Sequence, residues 1–382
     1  MILPSRVKRF LIVLGLLFLF LASFLYWFLF IPPSTASLSK VILVKKGMSL
    51  RKVSEVLQQE GIVRHRYLFV WLTRILGKKA EIKAGEYELH TRMVPHEVLG
   101  ILVKGQVKRH LVTIPEGFTL GQVAQLLNDL QIVGKEDFLQ KAFSPVFIAS
   151  LGIPQLNGPH LEGYLFPDTY HFVRGMDSEE VIRMMVHQFK KVFGPDLASR
   201  ASPLGISERD AVIIASIIEK ETSLPEEKPL VSAVFHNRLK RRIPLQSDPT
   251  VIYGIKNFDG NLTRQHLLTP TPYNTYLMAG LPPTPICNPG KVSLVAALSP
   301  AAVPYFYFVS RNDGTHYFST DIEEHNRAVS KYQRKNNLTR STAPSPAFEG
   351  GELERRSGST LSKPSGSKTG GSRRVDKTVE TR

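Results

Sequence analysis

From Phe10 to Ile31 the chain carries no charged residue, and Leu, Phe and Ile dominate the run. About 22 such residues, rising 1.5 Å each as a helix, cross a bilayer core of ~30 Å. Arg6, Lys8 and Arg9 precede the run, and a basic flank stays on the cytoplasmic side. Residues 1–9 are therefore expected in the cytoplasm and 10–31 as a transmembrane helix. Tyr26 and Trp27 near its outer end suit an interfacial belt. A cleaved signal peptide is the competing reading, because Ser34-Thr35-Ala36 has the small-x-small form of a cleavage site. Signal cores span roughly 7–15 residues, which favours an uncleaved anchor in the cytoplasmic (inner) membrane. Either way, everything after residue 36 is expected outside the cytoplasm. Cys287 is the only cysteine, so there is no lipidated Cys near the anchor, no disulfide framework and no thiolate metal site.

With 382 residues, two or three domains are expected. The net charge of +16 is concentrated in the N-terminal cluster, in Lys104–Arg109, in Lys240-Arg241-Arg242 and in the tail. Such a balance suits nucleic acid, anionic lipid or an anionic wall polymer. No zinc-finger spacing, RNP-like run or P-loop accompanies it, which argues against nucleic acid. Beyond Asn337 the chain is Ser, Gly, Pro, Lys, Arg and Thr with almost no aliphatics, and 337–382 is expected to be a disordered basic tail.

Residues 38–154 contain an internal repeat at an offset of 70. Val44-Lys-Lys-Gly47-Met-Ser-Leu50-Arg-Lys-Val53 returns as Ile114-Pro-Glu-Gly117-Phe-Thr-Leu120-Gly-Gln-Val123, and Leu57, Ile62 and Val63 return as Leu127, Ile132 and Val133. Each copy predicts a strand, a Gly turn, a hydroxyl N-cap (Ser49, Thr119) and an amphipathic helix. The pattern resembles a LysM-type αβ module, which binds N-acetylglucosamine polymers, and equally a common strand–helix spacer. Lys83–Leu89 alternates as a strand closing the first copy. The Pro-, Gly- and Ser-rich Ser144–Pro159 marks a boundary, and a mixed α+β domain is expected over 155–336.

The centre of that domain is Ser207–Thr222. Ser207 and Asp210 form a capping-box-like pair, and Ala211–Ile218 are uncharged and apolar nearly all round, as in a buried helix. Glu219 and Glu221 arrive at its C-terminal end. There the helix dipole and apolar neighbours make a carboxylate hold its proton, as a general acid must; a solvated helix exit would look the same. Helices are also predicted over Glu179–Phe193, Leu230–Leu239, Val292–Leu298 and Glu323–Lys335. Tyr305–Ser310 and Thr315–Ser319 alternate about Asn312-Asp-Gly314, a hairpin signal. Pro249 disqualifies Leu245–Gly254 as a central strand, and proline-rich loops carrying Asn, Thr and Tyr suit a polyhydroxyl ligand.

Four stretches together resemble the endolytic murein transglycosylases, the MltG or YceG-like family. They are Glu162-Gly-Tyr-Leu-Phe-Pro-Asp-Thr-Tyr170, Ala215-Ser-Ile-Ile-Glu-Lys-Glu-Thr222, Leu245-Gln-Ser-Asp-Pro-Thr-Val-Ile-Tyr-Gly254, and Thr271-Pro-Tyr-Asn-Thr-Tyr276 with Gly280-Leu-Pro-Pro283. The resemblance covers roughly residues 1–335. It implies cleavage of the MurNAc–GlcNAc bond in nascent peptidoglycan strands at the outer face of the membrane, leaving 1,6-anhydro-MurNAc ends and ending glycan elongation. It also implies glycan polymerases (penicillin-binding proteins) as neighbours. The family's catalytic glutamate falls on the first Glu of Ile-Glu-Lys-Glu, here Glu219. Glu162, Tyr164, Asn237, Gln246, Asp248, Asn274 and Tyr276 are candidates to bind sugar; Asn274 and Asp248 suit bracing of loop backbone equally well, and Glu162 reads either as a second cleft carboxylate or as a core hydrogen-bond acceptor. Glu221 is read as an ion-pair partner of Arg238 or Lys220. No cofactor is expected, and the scattered His236, His316 and His325 lack metal-ligand spacing. The rivals are a hydrolytic muramidase, which needs a second carboxylate such as Glu162 or Asp248, and a non-catalytic wall-binding scaffold.

Overall fold

The computed structural model describes residues 5–45, 47–77, 82–153 and 158–334. The tail expected to be disordered, and the first four residues of the cytoplasmic segment, lie outside the described residues. The chain is α+β. The apolar run lies in helix α1 (Ser5–Phe30), whose stretch Phe10–Phe30 is long and apolar enough to span a membrane.

After α1, β1 (Ser39–Val44) and β2 (Gly85–His90) pair antiparallel with Ile42 opposite Tyr87. Strand alternation sends Ile42 and Val44 inward and Val41 and Leu43 outward. Helices α2 (Leu50–Gln59), α3 (Arg66–Ile75) and α4 (Pro95–Lys104) close a small core over this strand pair, around Val53, Leu57, Phe69, Tyr87 and Leu102. The end of α1 is built into that module. Phe28 is buried and Leu29 packs against the core. The Ser34 amide donates to the Thr91 carbonyl (3.3 Å), and Thr91 Oγ1 to the Ala36 carbonyl (2.6 Å).

The second copy of the repeat consists of β3 (His110–Thr113) and α5 (Leu120–Asp129). The match between copies is geometric as well as sequential. Gly47 and Gly117 turn at φ 80° and 75°, a left-handed conformation that a Cβ disfavours. Ser49 and Thr119 accept from the amides of Lys52 and Gln122 at the helix starts, and Ile62→Leu57 (2.8 Å) is repeated as Ile132→Leu127 (2.9 Å). The partners differ. β3 pairs with β4 (Thr169–Phe172), from the aromatic stretch beyond the boundary expected at residue 154. One hydrophobic core runs from Val112 to Leu298, so the second copy shares its core with all that follows.

Short helices α6 (Lys135–Ala142) and α7 (Pro145–Ser150) lead to α8 (Ser178–Val192), capped by Asp177, and the single turn α9 (Pro195–Ala198). At the middle of the core is α10 (Glu208–Glu221). Its expected capping box is present, with the Asp210 amide 3.1 Å from Ser207 Oγ and the Ser207 amide 3.2 Å from Asp210 Oδ2. Ala211–Ile218 are all buried, against α11 (Lys228–Lys240), α12 (Asp248–Gly254) and α14 (Lys291–Leu298). Leu245–Gly254 contains no strand, as Pro249 implies; the proline occupies the first turn of α12, where a missing N–H costs nothing. Helix α13 (Arg264–Leu268) lies in the loop region. The predicted hairpin is β5 (Tyr307–Ser310) with β6 (His316–Ser319), turning through Asn312 and Gly314 at positive φ, and α15 (Ile322–Val329) packs on it.

Candidate active site

Two residues along an α-helix is about 200° of rotation, so Glu219 and Glu221 leave the end of α10 on opposite sides. Their surroundings differ accordingly.

Glu219 is held on every side. Lys228 Nζ, at the start of α11, lies 3.1 and 3.2 Å from its two oxygens, and both side chains are nearly buried (8% and 4% exposed). The Gly290 amide (3.0 Å) and Ser293 Oγ (2.6 Å) both donate to Oε2. Glu116, from the turn before α5, packs on Gly290 so closely that a Cβ there would fall 1.9 Å from its Oε1. Burial and the nearby Glu219 charge hold the Glu116 carboxyl above its ordinary range, with Lys228 opposing. This cluster ties α10, α11, α14 and the second repeat turn together. Among the described residues the ion pair at this helix end is Glu219–Lys228, whereas Glu221, expected to pair with Arg238 or Lys220, has Arg238 only as a nearby charge.

Glu221 faces a cleft of about 480 Å³ lined by Arg238, Gln246, Asp248 and Tyr276 on one side and by the β5–β6 hairpin with His316 and His325 on the other. Ser247 Oγ donates to Glu221 Oε1 at 2.5 Å. Burial pushes the Glu221 carboxyl up to about 7; Asp248 adds to the rise, while the Ser247 bond and the Arg238 charge oppose it. The positive φ of Gln246 (52°) makes the kink that brings Ser247 and Asp248 to the helix end. Arg238 is fixed by the carbonyls of Phe306 (2.6 Å), Pro244 (3.0 Å) and Leu245 (3.0 Å) and by Gln246 Oε1 (3.1 Å). Tyr276 Oη donates to Asp248 Oδ1 at 2.6 Å. Next to Glu221, Thr222 Oγ1 donates to the buried Glu227 (3.1 Å). Glu227 also accepts the His316 amide (2.7 Å) and lies 2.7 Å from its Nδ1, latching the hairpin to the helix end.

Of the seven residues expected to bind sugar, Gln246, Asp248 and Tyr276 line the cleft. The other four are structural. Glu162 is buried at the start of α5, accepting the Leu120 amide (2.8 and 3.0 Å), Tyr253 Oη (3.1 Å) and Asn288 Nδ2 (3.3 Å), and burial pushes its carboxyl up to about 8. Tyr164 is in the core, edge-on to Phe189 at 5.1 Å. Asn237 donates to the Val303 and Tyr305 carbonyls (3.0 and 2.9 Å). Asn274 braces its own loop through Leu267, Thr269 and the Tyr276 amide (3.0, 2.8 and 3.0 Å). Arg238, Ser247 and His316 were not singled out from sequence for this cleft. Ser247 alone had a signal, lying between Gln246 and Asp248.

In chemical terms the cleft offers one carboxyl poised near neutrality, a hydroxyl that tunes it, a fixed guanidinium and a rim of amide, phenol and carboxylate groups. Such a set can donate a proton to a bound oxygen and recover one, among partners suited to a polyhydroxyl ligand.

A sequence model of the YceG-like family matches residues 42–331. The chain is 30% identical over 302 residues to the endolytic murein transglycosylase of Bacillus subtilis, covering 76% of this chain and 83% of that one. It is 28% identical over 318 residues to the enzyme of the same name from Streptococcus pneumoniae, there covering 57% of the relative. A solved YceG-like protein from Listeria monocytogenes superposes with a TM-score of 0.51 at 31% identity, over 76% of this chain and 99% of that structure.

Proposed function

The chain belongs to the YceG-like family, and on that premise we propose that it is an endolytic peptidoglycan lytic transglycosylase whose general acid is Glu221. The single observation that carries the assignment is geometric: Glu221 opens into the cleft beside Gln246, Asp248 and Tyr276, with Ser247 Oγ bonded to its Oε1, and burial there raises its carboxyl. Glu219, on which the family's catalytic position falls, stays the second candidate: here it has an ion pair and two hydrogen bonds, and it would act as the acid once substrate displaced Lys228.

Half-protonated near neutrality, Glu221 gives its proton to the oxygen linking MurNAc to GlcNAc as the C1–O bond breaks. The substrate's acetamido group stabilises the cationic C1. The Glu221 carboxylate then takes the proton of the same sugar's C6 hydroxyl as that oxygen bonds to C1, closing a 1,6-anhydro ring. No water enters, so one carboxylate serves both steps. Gln246, Asp248 and Tyr276 offer hydrogen bonds to sugar hydroxyl and acetamido groups.

The Phe10–Phe30 helix is read as a single-pass anchor with the N-terminus in the cytoplasm. It holds the cleft at the outer face, beside the glycan polymerases, where cutting a nascent strand ends its elongation. The first repeat module is read as LysM-like, and the second copy as part of the catalytic core. Asp248, in the same cleft as Glu221, is what a muramidase would use to activate water. Mass spectrometry of fragments from uncrosslinked glycan tests the reaction. Internal fragments with anhydro ends are expected; hydrated reducing ends, one water heavier, would mean hydrolysis.

A further inference from the structure

The first module carries a surface that neither the catalytic cleft nor the small core uses. Helix α3 buries Phe69, Leu72 and Thr73 and turns Tyr67, Trp71 and Ile75 outward, 73%, 48% and 59% exposed. Their four-residue spacing makes one stripe. Beside it, a cleft of about 710 Å³ is lined by Arg51, Lys52, Arg66 and Arg74, with Glu55 as the one acid. That acid is satisfied by Lys52 at 3.1 Å and lies 3.8 Å from Arg66, so the face is cationic. The guanidinium of Arg66 also lies over the Tyr67 ring at 4.8 Å.

The position of this face says what it meets. Arg64, two residues before α3, places its guanidinium 4.3 Å over the Trp27 ring and donates from Nη2 to the Pro32 carbonyl at 2.6 Å. Trp27 is in the last turn of the anchor. With Phe28 buried and Thr91 tied to Ala36, the module is braced on the end of α1 rather than hung from a loose linker. An aromatic and basic stripe starting beside the outer end of a membrane span lies at the depth where Trp, Tyr and Arg partition to the headgroup layer.

We propose that α3 is an interfacial helix seated on the outer leaflet, with Tyr67, Trp71 and Ile75 entering the headgroup layer and Arg51, Lys52, Arg66 and Arg74 binding anionic phospholipid headgroups. The proposal rests on reading Phe10–Phe30 as a membrane span. Such a seat fixes the orientation of the module on the bilayer.

Trp27 and Trp71 are the only two tryptophans, which makes the test direct. Full-length Trp27→Phe reports Trp71 alone, and Trp71→Phe reports Trp27. Each is placed in phosphatidylcholine bilayers, with or without phosphatidylglycerol, carrying a shallow nitroxide-labelled lipid. The proposal expects both tryptophans to be quenched in the anionic bilayer. Trp71 should be blue-shifted there, and its quenching and blue shift should weaken in neutral lipid or when Arg51→Gln and Arg74→Gln are added. Trp71 unquenched beside a quenched Trp27 refutes the seat while sparing the anchor. Trp27 unquenched refutes the anchor, and the seat with it. Trp71 emission that responds only to added uncrosslinked glycan assigns the face to wall polymer and overturns the lipid proposal.

Discussion

The bond from Ser247 to Glu221 sets a measurable pH. Its hydroxyl stabilises the ionised carboxylate at 2.5 Å, so Ser247→Ala must raise the Glu221 pKa from about 7. The hydroxyl makes no cap contact with α12, and the Ser247 amide and carbonyl keep their bonds to the Thr275 and Thr250 hydroxyls (3.1 and 2.7 Å) in the variant. A hydrogen bond to a charged group contributes about 1.5–3 kcal/mol, and one pKa unit corresponds to about 1.4 kcal/mol. The rise is therefore about 1–2 units. The acid works protonated, so kcat/KM for glycan cleavage should fall through about pH 7 in the wild type. In the variant the fall moves to about pH 8–9. The assay is the rate of anhydro-ended product against pH, with thermal melts confirming the fold. A basic limb that stays in place, or moves to lower pH in a folded variant, would refute the reasoning.

Glu162 gives a second pH effect, on stability. Its carboxyl rises from 4.5 to about 8 on folding. The stability this contributes is fully present below pH 4.5 and lost as pH rises through 8. The Tm of the wild type should decline across that window, and Glu162→Gln should flatten this component of the slope whatever its effect on absolute Tm. Lys228→Met leaves the buried Glu219 charge unpaired, and should cost about 3–5 kcal/mol in denaturant unfolding. Adding Glu219→Gln removes that charge and should recover most of the loss.

Much of the architecture was legible because its signals are local. The uncharged run, the Ser207–Asp210 box, the helical spacing from Glu179 and the Asn312-Asp-Gly hairpin each depend on residues within a few positions of one another. What failed to show were contacts between distant segments. Glu162 reads from sequence either as a cleft carboxylate or as a core acceptor, and only the structure decides for the acceptor, with the Leu120 amide, Tyr253 and Asn288 as donors. No short-range pattern announces that. The repeat at offset 70 was visible, but not that its second strand would find its partner in Thr169–Phe172 and merge with the catalytic core. Pro249 rightly excluded a central strand, but the helix it starts was not foreseen, although the first turn of a helix tolerates it. The two glutamates are the sharpest case. Helical spacing already says that Glu219 and Glu221 face apart. Which of them meets the Gln246–Asp248 kink depends on how α12 packs on α10.

The central claim is that the proton comes from Glu221 while Glu219 holds the helix in place. The most direct measurement compares cleavage of uncrosslinked glycan by Glu221→Gln and by the paired Glu219→Gln/Lys228→Met variant, each shown by melting to be folded. Loss of a general acid removes about 10²–10⁴-fold in rate, and that loss is predicted for Glu221→Gln alone, with the paired variant cutting near the wild-type rate. A folded paired variant that no longer cuts, beside a Glu221→Gln protein that does, would return the catalytic role to Glu219 and contradict the account.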